Sequence, residues 1–373
     1  MEREFIVLCG EHYNPLGIIR SLGEAGAKPI AIVKKNEFQL TSKSKYIKKL
    51  HFVNSIEEGF NLLLETYANE KCPPYVYTAD DKTMTHIDQH YDEIRGRAFC
   101  FNAGKPGRIT FYMNKDNINR IAIKHGLNVL NATVVNKGEI PSGLEYPIIT
   151  KPIASTMGAW KGDMYICNSE KDLKEAYEKI LSEKLLLQKY IHKKNEYCLE
   201  GLSVAHGQSV AISIASSYNY ILDNGYSPYM TVRNFDKPAL GEKLKEILKE
   251  IGYEGIFEIE FLVDENDQLW FCEINFRNST WSYASTCAGM NLPYKWAEYM
   301  RQGKIDSDFI KKVPSDFTAM VEVHDYANRV KTNKISKLQW FNELRKCKCR
   351  YFLGKNDLMP VISMFMHKLE GKR

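Results

Sequence analysis

The chain lacks any run of about 18 apolar residues, so no transmembrane helix is expected. It lacks a CxxC pair and any Cys/His spacing suited to zinc. Its nine cysteines are scattered singly, apart from Cys347 and Cys349. Cys9, Cys167, Cys198 and Cys272 fall inside apolar runs, as small buried thiols of a reducing cytoplasm do. No internal repeat, low-complexity stretch or DNA- or RNA-recognition motif is present, and no Ser/His/Asp pattern marks a nucleophilic triad. The N-terminal residues are too acidic and too poor in apolar residues for a secretory signal, so a cytoplasmic location is expected.

What is present is the composition of an ordinary globular protein. The 373 residues are 44% apolar and 26% charged, enough for two or three packed subdomains. The net charge of +5 is unevenly placed. Residues 326–373 hold twelve Lys/Arg against three Asp/Glu, so the rest of the chain is net negative. A nucleic-acid binder would spread basic residues over its folded body, and none is expected as a partner.

Strand and helix signals alternate over 1–110, as in an open parallel, Rossmann-like sheet. Phe5–Cys9, Pro29–Val33 and Tyr75–Tyr77 read as strands; Ser55–Tyr67 and Thr83–Ile94 read as helices. Over 111–184, Asn114 caps a helix closed by Gly126, Ser169 caps another, and short strands at Ala132–Val135, Pro147–Thr150 and Met164–Cys167 complete a small α+β lobe. Over 185–325 strands dominate, giving a larger antiparallel lobe with one helix at Leu240–Ile251. Residues 326–373 form a basic helical extension. Leu338, Phe341 and Leu344 recur at helical spacing, as do Leu358, Val361, Ile362, Phe365 and Leu369. These stripes either pack on the body or dock on an anionic surface, a membrane leaflet or a glycan.

The chemistry concentrates in a hairpin, Phe257–Leu262, a polar turn Asp264–Asp267, and Trp270–Arg277. Period-2 geometry puts Glu258 and Glu260 on one face, and Glu273, Asn275 and Arg277 on one face of the partner strand. Such oxygen donors suit Mg²⁺ shared with substrate phosphates. Lys151, at the end of an apolar strand, is a point charge suited to phosphate.

At these residues the sequence resembles the ATP-grasp superfamily. The resemblance covers roughly residues 1–325. It implies an ATP-grasp fold with Glu260, Glu273 and Asn275 as ligands of Mg²⁺, which Mn²⁺ can replace. Arg277 would bind a phosphate or the reacting carboxylate, and Lys115 and Lys151 the ATP phosphates, so that Arg277 and Lys151 act in catalysis. Ser155, Thr156 and Gly158 resemble the phosphate-covering loop. Gln188, Tyr190 and Ile191 resemble the adenine hinge, and Glu196 the ribose ligand. The turn Gly10–Gly17, with Asn14 and His12, corresponds to the carboxylate-binding turn; it is not a GxGxxG fingerprint. Asn278, and Arg233 on a strand, are further substrate candidates. The resemblance implies an ATP-dependent ligase that activates a carboxylate as an acyl phosphate and couples it to an amine, forming an amide, with amino-acid ligases of cell-envelope and polysaccharide pathways, including D-aspartate ligases, as the nearest kind. The alternatives are an ATP-grasp carboxylase, a kinase-like member, or a nucleotide-binding regulator. Oligomeric state is left open.

Overall fold

The computed structural model describes residues 3–153, 160–222 and 226–370. The chain divides into two compact units. One comprises Met1–Ile109, Cys198–Glu258 and Asn275–Arg373, the other Thr110–Tyr197 and Ile259–Ile274.

In the first unit, β1 (Phe5–Cys9), β2 (Ile30–Lys34), β3 (Lys49–Val53) and β4 (Tyr75–Tyr77) form a parallel sheet in the order β3-β2-β1-β4. β1 is wholly buried after its first residue, which is why it reads as a continuous apolar run. β3 was not legible in the sequence: as an edge strand it exposes Lys49 and Phe52 and has no apolar run. The chain moves outward from β1 to β3 and then returns to the other side of β1, so the β1/β4 boundary is a topological switch point. Helix α1 (Tyr13–Glu24) follows β1. Helix α2 (Ile56–Thr66) is N-capped by Ser55, which accepts from the Glu58 N–H. Helix α3 (Asp81–Gln89) is capped by Asp80, which accepts from the Thr83 N–H. The helix expected over Thr83–Ile94 is two, because the chain breaks at His90 before Tyr91–Ile94.

The second unit has its own antiparallel sheet, β5 (Ala132–Asn136), β6 (Ile148–Pro152), β7 (Ile166–Cys167) and β8 (Lys184–Lys189), in the order β5-β8-β6-β7. Leu185–Gln188, expected to open the larger lobe, therefore lies in this small sheet. The helix Glu170–Lys179 buries Leu173, Ala176 and Tyr177 in the same core as Ile148, Leu185 and Leu187.

The remaining strands are β9 (Asn195–Val204), β10 (Ser209–Tyr218), β11 (Tyr229–Arg233), β12 (Gly255–Val263), β13 (Leu269–Asn275), β14 (Thr318–Met320) and β15 (Cys349–Arg350). They form one sheet in the order β13-β12-β9-β10-β11-β14-β15. The turn between β12 and β13 is organised by Asp264, whose carboxylate accepts from the N–H groups of Asn266 and Gln268 and from Trp270 Nε1.

The C-terminal segment is not only helical. β15 adds to the sheet by parallel pairing with β14. Trp340 and Leu344 of the helix Lys337–Lys346 are buried, whereas Leu338 and Phe341 are exposed. In the helix Met359–Glu370, Val361 and Met364 are buried and Leu358, just ahead of it, Ile362 and Phe365 are exposed. The stripes read from the sequence thus pack only in part, and the side chain of Leu369 lies outside the described residues. Among the described residues no helix is long and apolar enough to cross a membrane.

Candidate active site

Within the second unit, six of the residues singled out in the sequence come together. Lys115 is the first residue of the helix Lys115–Lys124, capped by the Asn114 side chain. Its N–H donates to the Ile153 carbonyl, 2.9 Å away, just beyond the strand that carries Lys151. Lys151 on β6 pairs with Leu186 of β8, while Gln188 pairs with Ile149. The diagonal across the two strands puts Lys151 and Gln188 on one face, and Lys151 Nζ donates to Gln188 Oε1 at 2.7 Å.

The Lys115 ammonium is ion-paired with the carboxylate of Glu273 on β13. Burial alone would lower the Lys115 pKa; Glu273, with Cys272 and Glu260, outweighs it and holds the ammonium above its usual range. Among the described residues, the hydrogen-bond partner of the Lys151 ammonium is the Gln188 amide oxygen rather than a carboxylate. Burial, with Lys115 nearby, lowers its pKa despite Cys272, Glu273 and Glu196. Burial also pushes the Cys272 thiol up to about 11, so it stays protonated at neutral pH. Glu196 is largely buried and ion-paired with Lys193. The Tyr190 N–H donates to the Pro147 carbonyl, so at that residue the hinge backbone is already engaged. Ile191 is half-buried. Ser155, Thr156 and Gly158 lie outside the described residues.

The first unit gathers a second group. Asn275 Nδ2 donates to Glu258 Oε2 at 3.0 Å, so Glu258, the neighbour left without a role by the resemblance, holds Asn275 in place. Arg277 lies beyond the end of β13; its Nη2 donates to Asn275 Oδ1 at 3.1 Å and its Nε to Asp81 Oδ1 at 2.5 Å. Asn14 and Asn278 interlock: Asn278 Nδ2 donates to Asn14 Oδ1, and Asn14 Nδ2 to the carbonyls of Ala79 and Asn278. The loop after Arg277 hangs from Glu200, a fully buried carboxylate on β9 that accepts from Ser279 Oγ at 2.5 Å and Ser282 Oγ at 2.6 Å. Arg233 is exposed at the end of β11.

Asp81 and Glu200 were missed by sequence reasoning. Asp81 carries no motif. Glu200 left one signal, a lone carboxylate inside the apolar run Tyr197–Val204.

Among the described residues no three His, Cys, Asp or Glu side chains form a ready metal cluster. Within the second unit, Glu260 and Glu273 are nonetheless carboxylate donors of the right chemistry for a hard cation that keeps part of its coordination for phosphate oxygens. Two lysines and Glu196 beside it suit a polyphosphate with a sugar.

Residues 108–299, just over half of the chain, match the family model described as "Carbamoyl-phosphate synthase L chain, ATP binding domain". The chain belongs to the ATP-grasp superfamily. Its matched portion is the ATP-binding domain of this superfamily. N5-carboxyaminoimidazole ribonucleotide synthase of Staphylococcus aureus is 30% identical over 138 residues, which is 35% of this chain and 34% of that protein. The 2-oxoglutarate carboxylase small subunit of Hydrogenobacter thermophilus is 24% identical over 291 residues, 70% of this chain and 58% of that protein. The chain thus spans about a third to a little over half of the length of these curated relatives. Among solved structures, N5-carboxyaminoimidazole synthetase from S. aureus complexed with ADP superposes with a TM-score of 0.66 at 17% identity, covering 90% of this chain and 87% of that one. L-amino acid ligase from Bacillus licheniformis superposes with a TM-score of 0.63 at 14% identity, covering 85% and 79%. These structures share the ATP-grasp fold expected from the hairpin and the lysines.

Proposed function

We propose that this ATP-grasp protein is an ADP-forming ligase that activates a carboxylate as an acyl phosphate and couples it to an amine, with an amino acid as one substrate. The observation that carries the reading is the Lys115–Glu273 pair beside Lys151 and Gln188. Binding of Mg²⁺-ATP would divide that pair, the carboxylate turning to the cation and the ammonium to a phosphate. In this reading Glu260, Glu273 and Asn275 hold Mg²⁺, which neutralises phosphate charge, and Lys115 and Lys151 hold the phosphates. Glu196 takes the ribose, and the segment Gln188–Ile191 the base. Arg277, steadied by Asp81, takes the carboxylate. The carboxylate attacks the γ-phosphorus, ADP leaves, and the amine displaces phosphate from the acyl phosphate. Enclosure is required, because water would hydrolyse that intermediate.

The test is ADP release by the full chain with MgATP and a panel of acids and amines, singly and in pairs, with mass spectrometry of products. Release that needs both an acid and an amine, with a new amide, supports the reading. A second reading rests on the curated relatives, two of which are named for carboxylation: the acid is then bicarbonate. Release that needs bicarbonate and no other acid would favour it and overturn the first.

The exposed apolar face of the last helix, Met359, Ile362, Phe365 and Met366, is where the C-terminal segment would meet an anionic surface. Co-sedimentation with anionic liposomes at two salt concentrations tests this; a chain that stays in the supernatant at both rules it out.

A further inference from the structure

A cavity of about 460 Å³ in the first unit is lined by residues that the proposed chemistry does not use. A volume of this size is in the range of small-molecule sites. Five of the lining side chains are basic: Arg95, Lys105, Arg108, His206 and Lys249. They come from distant stretches of chain. Arg95 follows the short helix Tyr91–Ile94. Lys105 and Arg108 stand just before the point where the chain first passes from one unit to the other. His206 is in the turn between β9 and β10, and Lys249 is in the last turn of the helix Pro238–Ile251.

The turn that carries His206 is strained and tightly fixed. Ala205 and His206 both have φ 53°, a left-handed conformation that residues other than glycine seldom adopt. Hairpin turns that need it favour Asn-Gly. The His206 N–H donates to Glu254 Oε1 at 2.9 Å. Gly207 lies so close to the helix Pro238–Ile251 that a Cβ there would stand 2.5 Å from the Leu248 carbonyl oxygen and from Lys249 Cα. The turn is thus seated beside Lys249. Asn102 exchanges backbone hydrogen bonds of 2.8 and 3.0 Å with Glu254, and its Oδ1 accepts from the Gly104 N–H at 3.0 Å, which fixes the loop leading to Lys105. Strain of this kind persists only where the surroundings over-determine it, and it gathers at ligand sites.

The charges around the cavity favour an anion. Arg95 and Lys105 are exposed, and among the described residues their side chains make no ion pair or hydrogen bond. Arg108 Nη2 donates to the Glu250 carbonyl at 2.7 Å, while its Nε is buried and has no hydrogen-bond partner. Lys249 is 3.4 Å from Glu246 on its own helix, an exposed pair that water screens. Cations at the end of a helix suit its carbonyls, which accounts for Lys249 and for one nitrogen of Arg108. It does not account for Arg95, Lys105 or the Arg108 Nε. Of the lining residues one, Glu250, is acidic against four permanent cations. Glu254, behind His206, is buried and turned to the protein, its Oε2 accepting from Asn102 Nδ2 at 3.2 Å. Tyr91, also on the wall, keeps its phenol proton as a donor: burial, with Cys100 and Glu254, pushes its pKa up to about 12 although Arg95 opposes the rise.

We propose that this cavity is a second ligand site, separate from the nucleotide site, that takes a phosphate group, free or carried on a small molecule. Arg95, Lys105 and Arg108 hold the phosphate. Several cations on one cavity suit a dianion with three or four acceptor oxygens, and the guanidinium fork of Arg108 matches phosphate geometry. The oxyanion supplies the acceptor that the Arg108 Nε lacks. The proposal does not rest on the ligase reading.

The test is isothermal titration of the full chain, its nucleotide site saturated with Mg²⁺ and a non-hydrolysable ATP analogue, with inorganic phosphate, ribose 5-phosphate and ribose. Both phosphates should bind with a Kd of about 1 mM or below and compete with each other, and ribose should not bind. Raising the salt concentration should weaken the binding, because the cations are exposed. Arg95→Ala and Lys105→Ala alter exposed side chains and should fold. Each should weaken phosphate binding about tenfold, the scale of one charge-assisted contact, with the affinity for the nucleotide analogue unchanged. Lys28→Ala, which removes an exposed cation outside the cavity, should leave phosphate binding unaltered. Tighter binding of ribose 5-phosphate than of inorganic phosphate identifies a phosphorylated small molecule as the ligand, and the reverse identifies the free ion. No binding of either phosphate up to about 10 mM, or unaltered affinity in both Arg95→Ala and Lys105→Ala, overturns the proposal. So does binding that Arg277→Ala abolishes and those two variants do not, since it then belongs to the proposed active site.

Discussion

Asp81, the first residue of α3, holds the guanidinium of Arg277 across 196 positions of sequence, with Arg277 Nε 2.5 Å from Asp81 Oδ1. Both side chains are more than four-fifths buried, so the pair is weakly screened by solvent. Asp80 fixes the start of the helix, and Asp81 thereby fixes the guanidinium that the ligase reading assigns to the carboxylate. Asp81→Asn keeps the size and removes the charge. It should lower kcat/KM for the acid about tenfold, the usual scale for a displaced positioning group, and leave nucleotide affinity alone. Steady-state kinetics over acid concentration, with nucleotide titration as the control, check this. An equal loss of nucleotide affinity would mean a general structural role.

Glu273→Gln should reduce turnover by about a thousandfold, since it removes the proposed cation ligand and the counter-charge of Lys115 while keeping the side chain's shape. Thermal unfolding should change little, and the shift in Tm caused by Mg²⁺-nucleotide should shrink. Wild-type-like ligation at limiting Mg²⁺ would remove Glu273 from the site.

Lys151 gives a pH dependence. Its pKa in the free protein lies below that of an ordinary lysine, chiefly through burial. A bound polyphosphate favours the charged form, so the nucleotide-bound pKa is higher than the free one. Affinity for nucleotide should therefore be constant at neutral pH and fall as pH rises through the depressed free-state pKa. Lys151→Met should weaken binding by about 10- to 100-fold, the worth of a charge-assisted contact, and flatten that alkaline fall. Calorimetric titrations from neutral to alkaline pH read both effects.

Glu322 holds the C-terminal segment to the sheet through three backbone N–H groups. Burial raises its pKa above the usual carboxylate value, although those bonds oppose the rise. A carboxyl with a raised folded pKa gains protons on folding, so its own contribution to stability improves as pH falls through that pKa and is least favourable above it. Glu322→Ala removes the acceptor and leaves three donors without it. It should destabilise the protein by about 2–5 kcal/mol, on the scale of unsatisfied buried groups. Urea unfolding measures the loss, and limited proteolysis should show early cleavage around residues 345–358.

Much of this molecule is written in short-range pattern. The caps at Asn114 and Ser169, the apolar run of β1 and the Asp264 turn were readable from local pattern, and Lys115 and Lys151 were picked out by the family resemblance. Such patterns depend on backbone geometry that repeats every two or 3.6 residues, and on capping groups a few positions away. The hairpin and the lysines were enough to name the superfamily.

What spacing could not supply was which distant partners meet. Nothing local to Asp81 marks it for Arg277, and nothing local to Glu258 marks it for Asn275 rather than for a metal. The basic C-terminal segment read as two amphipathic stretches, yet in the first of them Trp340 and Leu344 are buried while Leu338 and Phe341 are exposed. Sequence by itself determined most of the elements and the family. The tertiary structure decided which charges are engaged and which are left facing outward, because that depends on contacts between residues far apart in the chain, which no periodicity encodes.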